Sequence, residues 1–138
     1  MNILQLHAKV FLDLLGADAD LEVLHGQVPT GQKPPYLLVY FAFRTPSGTD
    51  EPQKVSKEAT SDLLTTTVYC HSVAETPNTA LTVAGRGRVA LLGVFPTVAG
   101  RICYPIEHVD GPPMQRDEAT LANVFDQVDA YQFTSQPG

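Results

Sequence analysis

Residues 36–43 read Tyr36-Leu37-Leu38-Val39-Tyr40-Phe41-Ala42-Phe43, an almost unbroken run of β-prone side chains. Aromatic and branched residues fit a pleated backbone, and Pro34-Pro35 just ahead of them forbids a helix there. Apolar and polar residues do not alternate, which predicts a strand covered on both faces. One cover would be helices of the same chain, and the other a neighbouring subunit.

The flanking segments build outward from that strand. Over residues 2–15, Ile3, Leu6, His7, Val10, Phe11 and Leu14 recur at helical spacing, with Gln5, Lys9 and Asp13 opposite. Gly16 stops this helix, and residues 17–24 (ADADLEVL) read as a second short helical turn. Residues 27–35 form a turn-rich connector. After the first strand, residues 44–61 are polar and long for a connection, and they read as the arm of a β-hairpin.

A second strand spans 62–72, with Leu64, Thr66, Val68 and Cys70 on one face. Pro77 near a first turn opens a second helix running to about Phe95, and Pro96 stops it. Gly85 and Gly87 weaken that helix by about 1 kcal/mol each relative to alanine. A third strand is predicted over 101–109, with Pro105 favouring an edge or a bulge, and a long fourth over 121–134 with two mixed faces. The expected fold is α+β: a four-stranded antiparallel sheet in αββαββ order, helices on one face, and a long β-hairpin at 44–61.

A chain of 138 residues holds one domain, and its 43% hydrophobic content excludes a disordered or fibrous class. No apolar run approaches the roughly 20 residues of a membrane-spanning helix. The start, MNILQLHAKVF, lacks a secretory n-region and cleavage site, so the expected compartment is aqueous, most simply the cytoplasm. Cys70 and Cys103 read as free thiols in a reducing compartment, with a single disulfide as the alternative. Nine Lys and Arg against 15 Asp and Glu give a net charge of −6. Phosphate gripping needs a basic surface, so DNA binding is disfavoured while passage of DNA is not.

Chemistry-bearing patterns are sparse. The four histidines show no metal-ligand spacing, and adjacent Cys70 and His71 point to opposite faces of their strand. His108 and Asp110 could share a strand face, which supports a rival reading as a small hydrolase or ligand-binding domain. Gly85-Arg86-Gly87-Arg88 matches neither a P-loop nor a dinucleotide fingerprint, and its arginines read as solvent or interface residues. No GxSxG elbow occurs. Neither a catalytic residue, a cofactor nor a metal is expected.

Several strings resemble the tail-terminator, or tail-completion, proteins of siphophages. They are Leu14-Leu15-Gly16-Ala17-Asp18-Ala19-Asp20-Leu21 closing the first helix, Gly26-Gln27-Val28-Pro29, Pro35-Tyr36-Leu37-Leu38-Val39, Val68-Tyr69-Cys70-His71-Ser72, and the closing strand from Val124 to Phe133. The long 44–61 hairpin and the two helix glycines depart from that pattern. The resemblance implies a structural virion protein: a homo-oligomeric ring, usually a hexamer, seated on the last ring of the tail tube. Such a ring stops tube polymerisation and joins the tail to a head-side stopper or connector, and genome DNA crosses its lumen without specific binding. The implied place is the neck of the virion, reached by assembly in the host cytoplasm without a membrane. A head-completion or stopper protein of the same neck is the nearest alternative.

A ring subunit offers two different surfaces to identical neighbours. Tyr40, Phe41, Phe125, Asp129 and Tyr131 are the candidate subunit-interface residues, taken from the doubly apolar first strand and the two-faced last one. Arg44, Ser47, Asp50, Glu51, Lys54 and Lys57 are the candidate partner-contact residues of the 44–61 arm, whose mixed charges also fit a solvated loop.

Overall fold

A computed structural model describes residues 1–45, 63–117 and 124–138. The first helix, α1 (Ile3–Gly16), starts with a reciprocal cap. The Asn2 side chain accepts from the Gln5 amide and the Gln5 side chain accepts from the Asn2 amide, each at 2.9 Å. His7, Phe11 and Leu15, spaced four apart, are its buried residues.

Residues 17–24 do not continue as helix. The Asp18 carboxylate accepts the Asp20 amide, the local competition by which aspartate diverts backbone from helix into a turn. The chain then extends as β1 (Val23–His25), which pairs parallel with β2 (Tyr36–Arg44). β2 pairs antiparallel with β3 (Leu64–Ala74), and β3 with the final strand, β7 (Val124–Pro137). Between β3 and β7 lie α2 (Pro77–Leu91), β4 (Arg101–Cys103), β5 (Glu107–Asp110) and β6 (Gln115–Asp117).

The sheet is therefore mixed and seven-stranded among the described residues, not four-stranded and purely antiparallel. Its order is β1-β2-β3-β7-β4, with β5 and β6 also paired to β7. The expected strand at 101–109 is split around Pro105, whose missing N–H cannot join a ladder. Three short strands thus tile the outer edge of one 14-residue strand: β6 at its start, β5 in its middle and β4 at its end. Helix α2 also stops earlier than expected. Gly93 takes a left-handed φ of 80°, and the Gly93 amide and Val94 carbonyl bond to Ile106 instead of extending the helix. Most of the expected 44–61 hairpin lies outside the described residues.

Both helices cover one face of the sheet. Phe11 and Leu15 of α1, Val83 and Leu91 of α2, Leu37 and Val39 of β2, Val68 and Cys70 of β3, and Tyr131 and Phe133 of β7 form one buried cluster. Each such large side chain contributes about 1.5–3 kcal/mol through removal from water. Strand register fixes which residues take part, because a one-residue slip would turn all of them to the other face. Exposed Gly85 sits mid-helix in α2, and a methyl group there would meet no atom within 4 Å. Gly85→Ala is expected to raise stability by up to about 1 kcal/mol, read as a higher urea midpoint; a lower one would mean that α2 does not hold helical backbone at that position.

Candidate interaction surfaces

The helix-covered face carries one polar cluster within its apolar core. Fully buried His7 of α1 stacks on Phe133 with ring centroids 4.4 Å apart. Its Nδ1 is hydrogen-bonded to Thr66 Oγ1 and its Nε2 to Ser135 Oγ, each at 2.8 Å. Arg101 Nε donates to the same Ser135 Oγ at 2.9 Å, and Arg101 Nη2 donates to the Ser135 carbonyl at 3.0 Å. The imidazole joins α1 to β3 and β7, and the guanidinium joins β4 to β7. Burial, helped by the positive charge of Arg101, pulls the His7 pKa from 6.5 down to about 4. A neutral ring donates through one nitrogen and accepts through the other, which matches two hydroxyl partners.

Two more histidines clasp β7. His108 of β5 lies 2.9 Å from Asp129 Oδ1 and edge-on to Tyr131, on the covered face. His71 of β3 lies 2.9 Å from Asp126 Oδ2, on the opposite face. The expected pairing of His108 with Asp110 does not form. A bulge between them pairs His108 with Tyr131 and Asp110 with Ala130, adjacent residues that point to opposite faces. Gly111 packs against the pair that does form: a Cβ there would lie 3.0 Å from Asp129 Oδ1 and 3.1 Å from His108 Cε1. Among the described residues no group of three or more His, Cys, Asp and Glu could hold a metal. Cys70 and Cys103 are free; burial raises both thiols, Cys70 to about 12 with help from Asp129. A thiol so raised is a poor nucleophile.

The opposite face has no described helix over it. Tyr40, Ala42, Thr67, Tyr69, Ala130 and Gln132 share it, joined across strands by Thr65 Oγ1 with Thr134 Oγ1 at 2.6 Å and Thr67 Oγ1 donating to Gln132 Oε1 at 3.4 Å. Hydroxyl, amide and aromatic groups line its centre, with Arg44, Glu107, Asp110 and Asp126 on the same face around them.

The candidate interface residues fall in different places. Tyr40 is exposed on the open face, whereas Phe41 is half-buried against Phe11 and edge-on to His25. Phe125 is half-buried at the start of β7, and Asp129 is engaged with His108. Tyr131 is in the core, and burial raises its phenol pKa. Arg44 ends β2 and is exposed, while Ser47, Asp50, Glu51, Lys54 and Lys57 lie outside the described residues. Arg86 is not a free surface arginine: its Nη1 donates to both Asp18 oxygens at 3.0 and 3.1 Å, tying α2 to the turn after α1. The His7 cluster escaped sequence reasoning, although a histidine on an apolar helix stripe was its visible trace.

No protein-family model matches the chain, and no curated protein matches it by sequence. The fold has a counterpart. A chain from a structure described as "Virion of native gene transfer agent (GTA) particle" superposes with a TM-score of 0.66 at 15% identity, over 93% of this chain and 92% of that chain. The likeness is one of fold and runs through nearly the whole of both chains.

The His7 cluster makes stability depend on pH. Its folded pKa lies below the unfolded one, so the neutral ring's contribution is complete above pH 6.5 and is lost as pH falls toward 4. The loss amounts to at most about 3 kcal/mol. The stability difference between wild type and His7→Gln, measured by urea unfolding, is expected to shrink over that interval; a constant difference would contradict this account.

Proposed function

We propose that the chain is a structural protein of a phage-like virion, and within it the tail terminator: a ring, most simply a hexamer, seated on the last tail-tube ring. There it stops tube polymerisation and joins the tail to the head-side stopper or connector. The observation that carries this reading is the end-to-end likeness of fold to a chain of a gene transfer agent virion, together with the tail-terminator-like strings spread along the sequence. Fold alone does not assign function, so the finer reading also leans on what the surfaces can do.

Three features support it. The histidines of the described residues act as structural clasps, each bound to a hydroxyl or carboxylate partner or packed against an aromatic ring. This fits a non-enzymatic role. The open sheet face carries Glu107, Asp110 and Asp126 against Arg44 and the chain is acidic overall, so DNA passing the protein would meet little electrostatic retention. Exposed apolar side chains remain at both ends of the sheet, as expected of a subunit with neighbours on two sides. The 44–61 arm, beginning at Arg44, is assigned contact with the tail tube or the adjoining neck ring.

The test is electron microscopy of lysates from a phage carrying an early stop codon in this gene. Overlong or unattached tails beside filled heads are expected, because tube growth would no longer be capped. Tails of normal length beside leaking or empty heads would instead assign the protein to the head-side stopper, and ordinary infectious particles would refute a neck role.

A further inference from the structure

The order β1-β2-β3-β7-β4 leaves two different edges, four strand spacings or about 19 Å apart. At one edge β1 covers β2 only as far as Val39, so on the side away from β3 residues 40–44 of β2 have no described strand beside them. Apolar side chains flank that bare stretch on both sides of the sheet. Tyr40 on the open face is 42% exposed and Phe43 on the covered face is 37% exposed. Leu4, Ala8, Phe41 and Phe43 line a groove between this edge and α1, and no Asp, Glu, Lys or Arg joins its lining.

The far edge also exposes apolar side chains, with Lys9 and Asp13 in the groove beside Phe95. Phe95, beside α1 in the helical layer, is 70% exposed. Ile102 and Tyr104, at the end of the sheet, are 50% and 48% exposed. Soluble chains normally protect such edges with charge or prolines. Here Pro105 removes one donor, and the apolar Ile102 and Tyr104 project beside Arg101 and Glu107.

The two edges also match in height along the strands. Phe43 pairs through Thr66 with Phe133, while the Tyr104 amide bonds to the carbonyl of Thr134, the next residue of β7. Ile106, bonded to Val94 immediately before Phe95, precedes Glu107, which pairs with Gln132. Phe43, Phe95 and Tyr104 therefore stand within about two residues of one level. A second copy placed alongside, without sliding along the strands, brings its Phe95 and Tyr104 to the bare β2 edge of the first.

We propose that copies of this chain join head to tail through these edges, the rim of Phe95, Ile102 and Tyr104 of one copy packing on the Leu4, Tyr40 and Phe43 edge of the next. The occupant is a second copy because each edge supplies what the other lacks a cover for, and a single chain cannot bring them together. Such a contact is heterologous, so it leaves one free edge of each kind at every step until the chain of copies closes. The ladder need not continue across the joint, since Pro105 interrupts the donor row; apolar side-chain contact above and below the sheet holds it. The proposal rests on the ring reading and supplies its joints.

Complementary charge reversal tests it, with mass read by sedimentation velocity and folding by thermal unfolding. Wild type is expected to assemble, alone or on purified tail tubes. Phe95→Glu, at a position with little buried surface, is expected to reduce the assembly to monomer without unfolding it, and Phe43→Lys likewise. The double variant is expected to assemble again, because every joint then sets the introduced lysine of one copy against the introduced glutamate of its neighbour. Damage to the fold could not produce that rescue. Wild-type rings that Phe95→Glu leaves intact would overturn these edges as joints while keeping the ring. A wild-type chain that stays monomeric in both settings would overturn the joints and the ring together.

Discussion

The structure depends on holding β7 in a single register. This strand of 14 residues pairs with β3 along one side, and on the other with three short strands that could not stand alone. A slip by one residue would turn Gln132 and Ala130 toward the helices and Tyr131 and Phe133 away from them. Three histidines oppose that slip from three different elements. His7 binds Ser135, His71 pairs with Asp126, and His108 pairs with Asp129, with Gly111 leaving room for the last pair. Side chains with catalytic potential are thus consumed in fixing a strand. The buried His7 ring stays neutral, because taking a charge into the core would cost more than two hydroxyl bonds return.

A fixed β7 also sets where the surfaces lie. The segment from β4 to β6 runs backward along its outer edge, so Ile102 and Tyr104 are carried to the far end of the sheet from β2. The helices occupy one face and leave the other to threonine, glutamine and tyrosine. A plate covered on one side, polar on the other and bearing exposed apolar side chains at both ends suits lateral assembly more readily than enclosure of a substrate.

Much of this fold was legible in the residues. α1, β2, β3 and β7 lie within three residues of their expected bounds, because each is long enough for periodicity or β-propensity to accumulate. The three-residue strands β1 and β6 were not legible, since each exists only through its partner, whereas β4 and nearly all of β5 lay inside the single strand expected over 101–109. The turn at 17–24 failed for a local reason, the Asp18 side chain capturing a backbone amide. His108 with Asp110 failed for a longer-range one: a bulge reverses the face of Asp110, and the true partner comes from β7. Ser135, 128 positions from His7, could be found only once the strands were in place. Among the interface candidates, exposed Tyr40 could be anticipated from an apolar strand, but burial of Tyr131 depends on which face of β7 the helices cover.

The most direct test of the central claim is to locate the protein on the particle. Virions bearing a short epitope tag at the carboxyl terminus of this chain can be labelled with gold-conjugated antibody and imaged by negative-stain electron microscopy. The account predicts gold confined to the junction of head and tail, and remaining with the upper end of the tail when heads are detached. Gold distributed over the capsid or along the tail, or virions that carry none of the protein, would contradict it.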